Sequence, residues 1–429
     1  MFGLAFGATL LSGLLPAVRG ARSLTTRAIG DRGQDRARGV LIVAEVSLAI
    51  LLLTGAALLF RTFANLNNID PGFRANDLLS AQTVLPPVMY KQPELRTRFY
   101  TDVLDRVRAI PGVASAAYTS AVPTTWKGGF SGYVAEGKPY IRGTSNAMMR
   151  QVTSDYFAAM NIGLRAGRVF TASDRAGSEM VTVVNKALAD FVWPGEDPIG
   201  KRPRRGAPES DTPWIRVVGV VDNVLEMGLA NKPPAITYFP ESQHPAASFS
   251  SPLYVVVRTQ GDPAAFAPAL RRAILDVNPN QTVAKLMPVT QIMAKEVEER
   301  RLHASITVAF AAAALLLACL GIYGVLSYAV EQRRREFGVR LAMGSSQSQL
   351  AGLVLGSGLR LTLAGVAIGM AAAWALTRYM EALLFQVTPH DPVAFGIVPA
   401  IFLVTALVAC WIPARRAMRL DPSEALRYD

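Results

Sequence analysis

The chain has 429 residues, 51% of them hydrophobic, and a formal charge of +12. Many of its arginines stand beside apolar runs, from Arg19, Arg22, Arg27, Arg32, Arg36 and Arg38 to Arg415, Arg416, Arg419 and Arg427. That is a membrane-topology pattern, and without interleaved aromatics or a recognition fold it argues against nucleic-acid binding. The two cysteines, Cys319 and Cys410, both lie inside apolar runs and give neither a disulfide framework nor a metal site.

Phe2–Val18 is apolar, uncharged and about long enough to span a bilayer. It lacks a basic n-region and is followed by arginines, so it does not read as a cleavable signal peptide. Its exit, Pro16-Ala17 followed by Arg19 and Arg22, matches Pro413-Ala414 followed by Arg416 and Arg419. Two readings stand: unrelated spans that both end in basic residues, or a chain that begins inside the last helix of a preceding, similar unit. Gly39–Phe60 is the clearest spanning helix, interrupted only by Glu45. An acid inside a span is a functional candidate, but Glu45 lies only roughly 9 Å along the helix, which favours a structural role.

Asp70-Pro71-Gly72-Phe73 is a turn. A strand over Leu79–Leu85, an amphipathic helix over Glu94–Ala109 closed by Pro111-Gly112, and a strand over Val113–Ser120 follow. The same order returns as Leu253–Thr259, Pro263–Val277 and Gln281–Met287. Two such units, distant in sequence, predict one α+β layer sheet with an insertion between them. That insertion, about 123–250, is β-rich, with buried strands expected at Val181–Val184 and Ile215–Val221 and turns at Trp193-Pro194-Gly195 and Asp197-Pro198-Ile199-Gly200. The basic run Lys201–Arg205 reads as a solvated loop.

Met293–His303 is charged and helical and leads into the span Ala304–Ala329; Leu350–Leu376 and Phe395–Ile412 are the remaining spans. Gly352 with Gly356 and Gly365 with Gly369 have a spacing that permits close helix contact, or arise by chance in glycine-rich spans. Segments 19–38, 331–349 and 413–429 then fall on the cytoplasmic side and 61–303 outside, with four spans, or five if Phe2–Val18 also crosses.

The stretch Glu331–Leu350 stands between two spans. Glu331 with Arg335 and Glu336 with Arg340 have the favourable i,i+4 order on a helix. Arg334, Phe337 and Leu341 share another face, an apolar contact strip. Gly344 stops this helix, and Ser346 with Gln349 is a capping-box spacing for the next. No catalytic constellation accompanies it. His244, His303 and His390 are far apart and lack metal-ligand spacing, Asp102 and Asp105 read as solvated carboxylates, and no nucleophile elbow, zinc-protease helix or Walker loop occurs.

Arg334-Arg335-Glu336-Phe337-Gly338-Val339-Arg340-Leu341-Ala342-Met343-Gly344 resembles the cytoplasmic signature of the MacB/FtsX-like permeases of ABC systems. Asp421-Pro422-Ser423-Glu424-Ala425-Leu426-Arg427 is similar to the C-terminal motif of that family. Gly167-Arg168-Val169-Phe170, Val183-Val184-Asn185, Trp193–Lys201 and Val217–Val221 are similar to its periplasmic core. The resemblance implies an α+β membrane protein with four or five transmembrane helices and a large extracytoplasmic MacB-like domain of two split βαβ units and an inserted β-rich lobe. It implies this division: 1–38, the terminal helix of a preceding permease unit and a basic linker; 39–60, a transmembrane helix; 61–303, the extracytoplasmic core; 304–429, an FtsX-like three-helix domain with a coupling loop at 331–350.

It further implies a non-catalytic permease subunit of the bacterial inner membrane. Its partners would be a cytoplasmic ABC ATPase, a second permease unit and membrane lipids, with no cofactor. Arg334, Arg335, Glu336, Phe337, Gly338, Val339, Arg340, Leu341 and Gly344 would form the ATPase-coupling surface. The repeated Pro-Ala exit is similar to that of duplicated, acidobacterial-type permeases, in which this chain would be the second half. The competing expectation is a membrane-anchored extracytoplasmic receptor without a motor.

Overall fold

The computed structural model describes residues 31–86, 88–125, 128–243, 251–343 and 345–418. Phe2–Val18 with its Pro16-Ala17 exit, Gly344 and the tail motif Asp421–Arg427 lie outside the described residues. The chain folds as two compact units, one being Asn68–Glu298 and the other Met1–Asn67 with Glu299–Asp429. Helix α1 (Asp31–Asn67) opens the described chain and outruns the apolar stretch at both ends, since its arginine, glutamine, alanine and asparagine flanks carry no proline to stop it.

In the unit Asn68–Glu298, Gly72 turns the chain at φ +81 and donates its N–H to Asp70 Oδ1 at 2.9 Å. Strand β1 (Leu78–Thr83), helix α2 (Pro93–Arg108) and strand β2 (Val113–Thr119) follow. The insertion supplies β3 (Phe130–Ala135), β4 (Asn146–Val152), α3 (Tyr156–Met160), β5 (Leu164–Gly167) and β6 (Val181–Asn185). It continues through α4 (Lys186–Val192), β7 (Pro203–Arg205), β8 (Arg216–Val221) and β9 (Ile236–Pro240). Strand β10 (Tyr254–Thr259), helix α5 (Ala267–Leu275) and strand β11 (Val283–Pro288) complete the unit.

The two strand-helix-strand units interleave in the order β11-β1-β10-β2, every neighbour antiparallel. Each helix therefore crosses over a strand of the other unit. Burial at helical spacing explains the packing: Phe99, Val103 and Val107 of α2 and Leu270 and Ile274 of α5 cover Leu79, Tyr118 and Val255 on the sheet. The inserted lobe does not form a separate sheet. Its strands continue the first through the pairing of Thr119 with Val152, giving an 11-stranded sheet that runs on as β4-β9-β6-β8-β5. Here β4 with β9 and β6 with β8 are parallel, and β6 and β8 are nearly unbroken valine runs, as strands buried on both faces must be.

The expected motifs are structural joints of this lobe. Asn185 accepts from Leu188 N at 3.1 Å to cap α4 and from Ile236 N at 2.9 Å to hold β9. Arg168 makes a two-pronged bond to Asp174, at 2.7 and 2.9 Å. Trp193 is buried against Tyr133, ring centroids 6.3 Å apart. Lys201 reaches Glu196 at 2.9 Å, but Pro203–Arg205 forms β7, paired with β3, where a solvated loop is expected. Arg98 lies 3.7 Å from Asp102, and Arg108 3.2 Å from Asp105, on the open face of α2.

Helix α6 (Val289–Gln332) is continuous over 44 residues and is followed by α7 (Arg334–Ala342), α8 (Gln347–Leu376) and α9 (Pro392–Met418). Four helical segments among the described residues are long and apolar enough to cross a membrane: Arg38–Asn67, Arg301–Gln332, Gln347–Glu381 and Pro392–Arg415. Their shared core includes Val46, Ile50, Ile322, Leu326, Val354 and Phe402. Of the two glycine pairs, one is a contact. A Cβ on Gly365 would lie 2.6 Å from Val46, and one on Gly369 2.7 Å from Ser47 O, whereas Gly352 and Gly356 face open space.

Candidate functional site

The stretch between the second and third spans folds as a short helix, α7, bracketed by tight joints. Arg333 N donates to Ala329 O at 3.2 Å and Phe337 N to Arg333 O at 2.9 Å, so α6 turns into α7 with little interruption of the backbone ladder. On the far side the capping box forms as the spacing predicts: Gln349 N donates to Ser346 Oγ at 3.4 Å and Ser346 N to Gln349 Oε1 at 3.0 Å. Both ends of α7 are thereby held, which presents it as a defined surface feature.

Glu336 and Arg340 form the expected i,i+4 pair, at 2.7 Å, both side chains 45% exposed. Glu331 pairs with Arg334 at 3.5 Å. Val339 and Met343 are exposed, Met343 at 82%. Phe337, expected in the apolar contact strip with Arg334 and Leu341, faces inward. It is 3% exposed and belongs to the bundle core with Leu326, Val330, Leu350 and Ala414. The physical reason is one of competition: a short helix beside apolar spans removes its one large aromatic ring from water where the apolar surface is already gathered. Phe337 is therefore the anchor of α7, while Glu336, Val339, Arg340 and Met343 form its outward face. Arg335, Gly338 and Leu341 lie within the α7 backbone.

Glu45 packs its carboxylate against α6, with Oε2 2.5 Å from where a Cβ on Gly321 would be. Gly321 makes the room for an acid between two apolar helices, in keeping with a structural role.

The other end of the bundle carries a polar clamp that sequence reasoning missed. Arg61 of α1 pairs with Asp391, and Asp391 Oδ1 also accepts from Ala394 N at 2.9 Å and Val393 N at 3.1 Å, capping α9. Asn65 donates to Gln386 O at 3.3 Å, and Phe385 N donates to Thr62 Oγ1 at 3.4 Å. The cap was visible in Asp391-Pro392, an N-cap residue before a first-turn proline; its partner on α1, 330 residues away, was not. Among the described residues no group of three or more His, Cys, Asp or Glu side chains could hold a metal ion.

A family model described as the MacB-like periplasmic core domain matches residues 1–273, and one described as the FtsX-like permease C-terminal matches residues 308–422. The chain is 22% identical over 301 residues to the uncharacterized ABC transporter permease YknZ of Bacillus subtilis, covering 68% of this chain and 72% of that protein. It is 25% identical over 315 residues to the macrolide export ATP-binding/permease protein MacB 2 of Aeromonas hydrophila, covering 68% of this chain but only 47% of that protein. Among solved structures, the periplasmic region of MacB from Actinobacillus actinomycetemcomitans aligns at a TM-score of 0.36 and 16% identity, covering 54% of this chain and 97% of that one.

Proposed function

Since this chain belongs to the ABC transporter permeases that join a MacB-like periplasmic core to an FtsX-like C-terminal part, we propose that it is a non-catalytic permease subunit whose α7 docks a cytoplasmic ABC ATPase. In this reading the chain lies in a bacterial inner membrane with segments 31–38 and 331–349 inside and the unit Asn68–Glu298 outside. Nucleotide-driven movement enters at the outward face of α7 and leaves along α6, which is helical without a break from Val289 to Gln332. A second permease unit, as a separate copy or a tandem half, completes the machine. Its work is export or extraction of a substrate by transmitted motion.

The observation that carries the proposal is the geometry of α7. A charged pair and an exposed valine and methionine stand outward on a helix whose only large aromatic is driven into the core, so the helix is both presented and anchored. The test is site-directed cross-linking in the native host, with cysteine placed at Val339 or Met343. Capture of an ABC ATPase from these positions, and not from the buried position 337, is expected. Failure at both exposed positions would sink the proposal. Reversing the Glu336 and Arg340 charges together keeps the intrahelical pair but inverts what a partner meets; transport is expected to fall while the protein still folds. Unchanged ligand binding and activity after that reversal would be the behaviour of a motor-free receptor.

A further inference from the structure

Helix α8 starts well before the level at which α1 becomes apolar, and its contacts show by how much. A Cβ on Gly39 would lie 3.4 Å from Leu361, one on Gly365 3.1 Å from Val43 O, and one on Gly369 2.7 Å from Ser47 O. The two helices therefore run parallel in matching four-residue steps. Arg360 stands level with Arg38, at the foot of the α1 apolar run, although it is well inside the apolar segment Gln347–Glu381.

The remaining spans reach the same level with aromatic side chains. Arg38 stacks on the Tyr328 ring of α6, its guanidinium carbon 4.1 Å from the centroid. A Cβ on Gly358 would lie 2.9 Å from Cys410 Sγ, which brings Trp411 of α9 to within about a turn of Arg360. Tyr328 and Trp411 are 48% and 54% exposed. Arginines with exposed tyrosine and tryptophan at one height mark a membrane–water interface. Near the other ends of α1 and α8 stand Arg61 on the one and Trp374, Arg378 and Tyr379 at the other, with Trp374 58% and Tyr379 72% exposed. From Arg38 to Arg61 the α1 rise is about 34 Å, close to a hydrocarbon core.

Arg360 is on the outside of the bundle at this height. The buried stripe of α8 passes through Val354, Gly358, Thr362, Gly365 and Gly369, and a residue two positions from both Gly358 and Thr362 lies on the opposite face. Arg360 is exposed, with exposed Leu359 and Leu363 beside it. Among the described residues it makes no ion pair or hydrogen bond. Helical side chains lean toward the helix N-terminus, here toward the turn of Gly356, where a Cβ would meet nothing within 4 Å. A cation thus reaches from between two leucines toward a notch without side chains, at the height of lipid headgroups.

We propose that Arg360 and the Gly356 notch bind the phosphate of an acidic phospholipid, whose acyl chains run past Leu363. Charge complementarity selects the occupant: a lipid-facing guanidinium at this depth needs an anion, its fork matches phosphate oxygens, and the flanking leucines suit acyl chains better than a polar protein surface. The proposal rests on membrane insertion alone and is independent of ATPase docking by α7.

The full chain in nanodiscs of mixed phosphatidylcholine and phosphatidylglycerol is the system for the test, with lipids retained on extraction counted by native mass spectrometry. Wild type is expected to retain phosphatidylglycerol preferentially, and Arg360→Leu to lose about fivefold of that preference, the scale of one interfacial cation. Arg360→Lys should lose less. Gly356→Leu keeps the charge but fills the notch, and is expected to lose the preference while the melting midpoint does not fall, which separates lipid loss from misfolding. No preference in wild type, or an undiminished one in both Arg360→Leu and Gly356→Leu, would overturn the proposal. So would a change from dimer to monomer in Arg360→Leu with lipid retention unaltered, because that result would assign the face to a second copy of the chain.

Discussion

Single side chains in the unit Asn68–Glu298 show how burial and partners set opposite electrostatic tendencies. Glu241 is 7% exposed, and burial pushes its carboxyl above the usual range; the Thr97 hydroxyl, donating at 2.9 Å, and the charge of Arg96 oppose this less strongly. At Asp174 burial also pushes upward, but the bonds from Arg168 and Thr171 together outweigh it and hold the group low. A raised carboxyl contributes stability that is fully present below its unfolded value, about 4.3 for glutamate, and is lost as pH rises through the folded value. Glu241→Gln, which keeps an acceptor for Thr97, is therefore expected to raise the melting midpoint at pH 7 by a few degrees and to change it little near pH 4. Thermal unfolding of the full chain at both pH values checks this, and equal shifts at both would contradict it. The Asp174 contribution has the opposite sign: it is present above the unfolded aspartate value and lost as pH falls through the folded one. Arg150 and Glu226, paired at 2.9 Å with both side chains wholly buried, stood out in no sequence pattern, because each lies among residues of ordinary composition and only the sheet brings them together.

At the scale of elements, the glycine pairs on α8 divide by what faces them. Gly365 and Gly369 allow α1 to approach closely, while the same spacing at Gly352 and Gly356 meets nothing. Gly369→Ala is expected to destabilise the bundle by about 1–3 kcal/mol, as an overpacked site does. Gly356→Ala is expected to be neutral or to stabilise by about 0.5–1 kcal/mol through helix propensity. Melting midpoints of the two variants in one detergent decide between them; equal losses would show that spacing, not packing, governs the site. The α7 signature divides in the same way. Its charges and the Glu336–Arg340 pair were legible because helical periodicity alone brings i and i+4 together. The burial of Phe337 was not, because periodicity tells which residues share a face and not which face meets the core. The capping box at Ser346 was legible for the first reason, and the Arg61–Asp391 clamp was hidden for the second.

Across the whole molecule, the proposed topology makes a direct prediction for labelling with a membrane-impermeant maleimide. In a chain carrying Cys319→Ala and Cys410→Ala, a cysteine replacing Arg142 should react in spheroplasts, and one replacing Met343 only after permeabilisation; Arg142 and Met343 are both exposed. Labelling of both from the same side would refute the arrangement. The sequence by itself determined the spans, the repeated strand-helix-strand order and the family signature, because apolar run length, period and local motifs are properties of neighbours along the chain. Tertiary structure alone decided that the inserted lobe extends the first sheet, that Phe337 anchors α7, that one glycine pair packs while the other stays open, and that Arg360 stands level with Arg38. Each of these depends on which distant segments meet and at what register, and that is set by the packing of whole faces.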